Sequence, residues 1–425
     1  MPIEKRASIV HVDATVKSLA TGRGIFYELN FCHLLFVWFL INWTQGLSQS
    51  LSQNMCQEAL SSYYSLGDSW KNFLLLDDSE LRDVEGESYY DFSTCERNAK
   101  ISKRYWRRKS ELPYPTVEQP LKGVRITIDP GHIGGACAKM EERWFQLNSE
   151  LPVQEGEMTL YVAKLIKPRL ERLGAVVTLT RRSNEPVARR DSPHLKALIE
   201  NKTQLLDPED PETQKYKDKL FYRTTEINAR AFRVNHLLKP DIVIALHFNA
   251  VAWGDPDTPE LVEVNHFHTL VNGAYMNGEL ADKEQRVQLV QRLLYRTHDE
   301  EIALAHAFVR GFVEATHLPA YSYGVAPTNA IKVDEEGYIW ARNLLANRIY
   351  QCPVVYLEPY VMNSREVYAR VQAGDYKGEK YIRGRKRVSI YQEYANAIEA
   401  SLLDYYTVAP YMWPKKPLYG ALRFD

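Results

Sequence analysis

The chain has 425 residues, 45% of them hydrophobic, which is enough to bury one large core or two modest ones. Its 53 lysines and arginines against 54 aspartates and glutamates leave a formal charge of −1, so no global field favours nucleic acid. The five cysteines (Cys32, Cys56, Cys95, Cys137 and Cys352) are spread widely without a CxxC pair, which excludes a zinc ribbon and argues against a disulfide-dense scaffold.

Residues 31–43 read FCHLLFVWFLINW, and small and polar residues follow. The run falls short of the ~20 residues of a spanning helix but has the length of a signal-peptide hydrophobic region. A leader over residues 1–48 is therefore expected, and with it an exported protein of the periplasm or cell envelope. Its removal takes Cys32 away and leaves Cys56 and Cys95 as candidate disulfide partners in an oxidising compartment. Residues 49–118 are polar and aromatic and end in the proline-punctuated ELPYPTVEQP; they read as a small, mostly helical extension and a linker. The basic run 103–109, which interleaves Tyr105 and Trp106, reads as a solvated helix face.

The main domain is expected over residues 119–410, with a tail at 411–425 and insertions at about 183–222 and 251–330. Val124, Ile126 and Ile128 alternate with polar residues as in a strand, and Asp129-Pro130-Gly131 ends it, delivering His132 at the strand's carboxyl end. From Glu157, Met158, Val162, Leu165, Ile166, Leu170 and Leu173 keep helical spacing up to Gly174, with Pro168 as a point of possible kinking. Residues 175–180 form the next strand, so this strand–helix–strand unit predicts a parallel pair with a crossover helix. A helix over 226–238 precedes the buried strand 241–247, which ends in His247-Phe248-Asn249-Ala250. A candidate strand at 261–268, a turn at Asn272-Gly273 and an amphipathic helix over 300–317 follow. Residues 353–358 are a buried strand ending in Glu358, and 389–405 a last amphipathic helix. The pattern specifies an α/β fold: a three-layer sandwich with a twisted, mostly parallel sheet and helices on both faces.

Three strands thus end in His132, His247 and Glu358, and Glu155 stands just before the first crossover helix. Two histidines and a carboxylate are the usual protein share of a catalytic zinc site, and a further carboxylate suits a general base. Singly, each residue has a structural reading: His247 as a capped strand end, Glu155 as a helix N-terminal charge, Glu358 as a buried partner for an arginine. A glutamate directly after PVVYL is costly to bury without a strong partner, which favours a site.

Over roughly residues 123–405 the chain resembles the zinc-dependent N-acetylmuramoyl-L-alanine amidases of the type 3 class, which cut peptidoglycan. The matching pieces are Ile128-Asp129-Pro130-Gly131-His132, the Glu155 to Ala163 helix entry, Leu179-Thr180-Arg181, Arg230 with Asn235, Ile244 to Ala250 around His247, Pro353 to Glu358, and Asn363-Ser364. The resemblance implies one Zn²⁺ per site held by His132, Glu155 and His247, with Glu358 as catalytic base and peptidoglycan as substrate. Asp129 and Asn249 are candidates to orient the imidazoles. His266 and His268 share a strand face, where the family places substrate contacts; they read as surface or rim histidines, His268 being a candidate for substrate contact. The turn His132-Ile133-Gly134-Gly135 shifts the family's usual glycine by one place, with no Asp at the customary position after it. Glu157 rivals Glu155, which is preferred for its spacing to Leu160 and Ala163.

Some family members block the zinc with a glutamate from an inserted helix until an activator protein displaces it, and Glu300, Glu301 and Glu314 give the inserted helix that potential. The basic tract 377–387 reads as a solvated loop. Two other readings compete: a zinc carboxypeptidase acting on stem peptides, and a non-catalytic wall-binding module.

Overall fold

The computed structural model describes residues 51–203, 207, 209–324 and 328–407, so the expected leader, Cys32 and the 411–425 tail lie outside the described residues. The description concerns the unit Ser52–Asp425. It opens with α1 (Gln53–Ala59), capped by the Ser52 hydroxyl, and an antiparallel meander of β1 (Leu74–Leu76), β2 (Glu80–Asp83), β3 (Ser88–Asp91) and β4 (Glu96–Arg97). The extension expected to be mostly helical thus carries a four-stranded sheet beside its helical turns. Its buried residues come from both, Cys56, Leu60 and Tyr64 from the helical run and Trp70, Leu74, Leu81 and Tyr89 from the rest. The basic run is no solvated helix either. Trp106 is buried, and Arg107 joins Arg125 on the fully buried Asp241 at 2.7 and 2.6 Å.

The main domain follows as β5 (Arg125–Pro130), the short hairpin β6 (Trp144–Phe145) and β7 (Val153–Gln154), α2 (Glu155–Arg172) and β8 (Val176–Leu179). Next come α3 (Pro193–Thr203), α4 (Pro211–Leu220), α5 (Glu226–Phe232) and β9 (Ile242–Leu246). Then follow β10 (Phe267–Val271), α6 (Lys283–Leu294), α7 (Thr297–Thr316), β11 (Ile331–Lys332) and β12 (Ile339–Ala341). The chain closes with α8 (Leu345–Ile349), β13 (Val354–Pro359), α9 (Arg365–Gln372), the hairpin β14 (Glu379–Ile382) and β15 (Arg385–Val388), and α10 (Ile390–Thr407). The tract 377–387 is thus a hairpin and not a loop, and α2 continues through Pro168.

Seven strands form the central sheet in the order β11-β12-β10-β13-β9-β5-β8. The run β13, β9, β5 and β8 is parallel, as the strand–helix–strand pattern predicts, and β10 joins β13 antiparallel. Within the span expected to be an insertion, β10 is a central strand and α7 packs between the sheet and α10. The strand begins at Phe267, not 261, and residues 261–265 before it are half-buried or exposed.

Strand alternation sorts the two faces. Ile126, Ile128, Ile242, Ile244, Leu246, Val355 and Leu357 turn to the layer of α2, α7 and α10 and form one apolar core with it. Asp129, His247, Tyr356, Glu358 and His268, out of phase with them, turn to the opposite face. The chain passes from β5 to β8 on one side and then returns to lay β9 on the other side of β5. Loops after β5 and β9 therefore diverge at a switch point, the place where open α/β sheets hold ligands.

Candidate metal centre

His132 follows β5 at a backbone φ of +55°, in the left-handed region. Two buried arginines hold the chain there. Arg230 donates to the carbonyls of Pro130 (2.8 Å) and His132 (2.7 Å), and Arg181 to those of Pro130 (3.1 Å) and Gly131 (3.2 Å). Arg230 is neutralised by Asp129 at 3.0 Å and Glu226 at 2.7 Å. Gly131 leaves room for β9: a Cβ there would sit 2.3 Å from Cε1 of His247 and 2.5 Å from the Leu246 carbonyl. Gly131→Ala is therefore expected to destabilise the fold by ~2 kcal/mol and to weaken metal binding. Urea unfolding and metal titration check both.

Ile133, which displaces the customary glycine, is fully buried among Ala188, Leu195, Leu220 and Phe221. The first insertion, expected to lie on the surface, supplies this cover. Gly134 (φ +77°) then lies against Gly156, where a Cβ would come within 2.3 Å of the Gly134 nitrogen. The shifted glycine and the Glu-Gly-Glu sequence thus meet as one close backbone contact, which docks the loop on the first turn of α2.

That contact brings Glu155 under the histidines, while Glu157 on the same turn is exposed. Glu155 lies 3.2 Å from Nε2 of His132 and 2.8 Å from Nδ1 of His247, and accepts from the Phe248 amide at 3.2 Å. Donor atoms of His132, Glu155 and His247 lie within 4.8 Å of one another, the one such group among the described residues. Burial alone would raise the Glu155 carboxyl, but His132, His247 and Arg143 (3.2 Å) hold it down to about 2. Burial disfavours charge on His247, yet Glu155 outweighs that and raises its pKa. The His247 ring is clamped by Tyr356, stacked at 4.2 Å and 12°.

Glu358 is half-buried in the wall of the same cavity, of about 450 Å³, without belonging to the three-residue group. Burial pushes its carboxyl up to about 7, Glu155 adding to the shift and His247 opposing it. A buried, ionised carboxylate between two imidazoles is a donor set that suits zinc, and the cavity leaves its open side accessible.

No protein-family model matches the chain, and no curated protein matches it. Among solved structures it is similar to the CwlD amidase of Clostridioides difficile, crystallised with the GerS lipoprotein. The two are 16% identical, over 66% of this chain and 96% of that one, with a TM-score of 0.37. The N-acetylmuramyl-L-alanine amidase Ami1 of Mycobacterium abscessus gives 15%, 67%, 99% and 0.36 in the same order. For the N-acetylmuramoyl-L-alanine amidase AmiC2 of Nostoc punctiforme the figures are 14%, 67%, 96% and 0.35. These three solved structures are amidases. Likenesses at this level carry no weight for the activity of this chain.

The remaining candidates fall elsewhere than expected. Asp129 does not touch an imidazole; its oxygens accept from Thr180, Arg230 and Tyr350, at 2.5, 3.0 and 2.6 Å. Asn249 lines the cavity, but its Oδ1 accepts from the Ala250 amide at 2.7 Å. His266 and His268 are not at the rim. Both are buried, and Tyr321 lies over the two rings at 4.6 and 4.7 Å. Burial lowers His268 to about 3, which keeps it neutral, one strand across from Glu358 in the β10–β13 ladder. Glu300 bonds Tyr405 and Glu301 pairs with Arg292 beneath the sheet, so neither reaches the histidines, and Glu314 is exposed. Cys56 is buried in α1 and Cys95 sits in an exposed turn; both are free thiols.

The sequence reading missed Glu141. It accepts from the amides of Ile133 (2.8 Å) and Gly134 (3.1 Å) and lies 3.5 Å from Nδ1 of His132. Arg143, Tyr356 and Arg342 were also missed, since nothing periodic marks them.

Proposed function

We propose that the chain is a zinc-dependent N-acetylmuramoyl-L-alanine amidase of the type 3 class, exported to the cell envelope, that cleaves the lactyl–L-alanine amide of peptidoglycan. The observation that carries this reading is the convergence of His132, Glu155 and His247 with Glu358 on one cavity from four separate segments. His132, Glu155 and His247 would hold the zinc, which when bound lowers the pKa of water toward ~7 and polarises the scissile carbonyl. Glu358 takes the proton of the attacking water on its carboxylate and returns it to the leaving amine. Tyr356 fixes the His247 ring by stacking on it, while Glu141 fixes the loop that carries His132.

The test is zinc content together with mass spectrometry of digested sacculi. Intact free stem peptides are expected. Glu155→Ala and His247→Ala are expected to lose the metal and, with it, peptide release. One observation favours a second reading, a stem-peptide carboxypeptidase: Arg342, in the cavity wall near Glu358, is suited to a terminal carboxylate. Shortened stems would establish that reading and exclude the first.

A further inference from the structure

A second hollow, of about 770 Å³, adjoins the catalytic cavity, and the two share Arg143 and Ala250 in their walls. Trp144 and Trp253 line it, both half-buried. We propose that this groove seats the glycan part of the substrate, taking neutral N-acetylated pyranose rings against Trp253 and Trp144 while the scissile amide lies at His132, Glu155, His247 and Glu358. The inference rests on the amidase reading and adds to it the direction in which the substrate lies.

Trp253 is a rigid platform. Its ring leans on Phe145 at 5.1 Å and 45°, and Phe145 is fully buried and stacked in turn on Tyr368 at 6.1 Å. The loop is tied down at and after the indole, by the Glu260 amide to the Trp253 carbonyl at 2.8 Å and the Gln146 amide to the Pro256 carbonyl at 2.9 Å. Trp144 is the neighbour of Phe145 in β6, so strand alternation turns it away from the core and into the groove. Lys139 holds its ring from 3.8 Å.

An indole face offers apolar area and a polar edge, which matches the CH face and hydroxyl rim of a pyranose. The charged groups around it are of both signs: Lys139 and Arg143 against Glu142 and Asp257. Such a lining attracts no net charge but supplies donors and acceptors to hydroxyl and acetamido groups. The catalytic cavity also carries Arg342, absent from the second hollow and near Glu358, which suits the carboxylate of a peptide. Glycan at the tryptophans and peptide toward Arg342 is the polarity that follows. The hollow has the volume of an ordinary small-ligand site.

The full chain is to be titrated with a peptide-free β-1,4-linked N-acetylglucosamine oligomer, followed by tryptophan fluorescence and calorimetry. Saturable binding is expected. Trp253→Ala should weaken it about tenfold or more, and Trp253→Phe should restore most of the loss; unchanged melting temperatures exclude misfolding. His247→Ala should bind the oligomer as the parent does, since neither metal nor turnover is required. Absence of oligomer binding, equal binding by Trp253→Ala, or quenching of these tryptophans by a sugar-free stem peptide instead would overturn the proposal. If the oligomer binds but sacculi release no peptide, the amidase reading fails and the glycan groove stands. If peptide is released without oligomer binding, the groove alone fails.

Discussion

Glu358→Gln is expected to lower kcat on muropeptides by about 10³-fold, within the range for loss of a general base, while zinc stays bound. Glutamine keeps the size and one acceptor of the side chain but cannot take a proton. Because Glu358 lies outside the His132–Glu155–His247 group, the metal donors are intact in the variant. Near-full activity with zinc present would remove Glu358 from the mechanism. The metal-free protein offers an independent readout of the same carboxyl. Burial raises its pKa to about 7 from 4.5, so the folded state binds a proton that the unfolded chain releases. Its stabilising contribution is complete below about pH 4.5 and is lost as pH rises through about 7. Glu358→Gln should flatten that segment of the stability profile, measured by urea midpoints across the window.

The donors were legible because burial leaves strands little freedom. Ile242 to Leu246 is buried on both faces, so the first polar side chain after it, His247, must fall at the sheet's edge. The same logic placed His132 and Glu358. The reading of Glu155 over Glu157 depended on its spacing to Leu160 and Ala163, and the 2% exposure of Glu155 follows from the Gly134–Gly156 contact, which only the folded chain displays.

What was illegible acts over distance or through short elements. Glu141 stands in a loop where one more acid carries no signal, and its role appears only when the loop folds back on Ile133 and Gly134. The strands β1 to β4 are two to four residues long, too short to show a period, and their aromatic residues suit a helix equally well. His268 looked like a rim residue because Tyr321, which covers it, is 53 positions away in sequence (321 − 268). The charge of Arg107 looked solvated for the same reason: its partner Asp241 lies beyond an entire crossover unit.

Asp129→Ala is expected to cost ~3–5 kcal/mol, the range for breaking a buried charge pair, and to impair metal binding although Asp129 touches no metal donor. The carboxylate is buried, and Arg230 holds its pKa low against the opposing effect of burial. Its removal leaves Arg230 with Glu226 alone and strips Thr180 and Tyr350 of their shared acceptor. Arg230 is also the donor that holds the Pro130 and His132 carbonyls, so a shift of its guanidinium moves the strained turn that delivers His132. The loss should therefore register twice, as a lower urea midpoint and as a weaker metal isotherm. Asp129→Asn keeps an acceptor for Thr180 and should fall between. Combining Asp129→Ala with Arg230→Met leaves one unpaired buried carboxylate, Glu226, where Arg230→Met alone leaves two, so the double variant should lose less stability than the sum of the singles. It should still bind metal poorly, because the carbonyls of the turn remain unheld. Strict additivity in stability, or metal affinity unchanged in Asp129→Ala, would show that the pair is a bystander to the site.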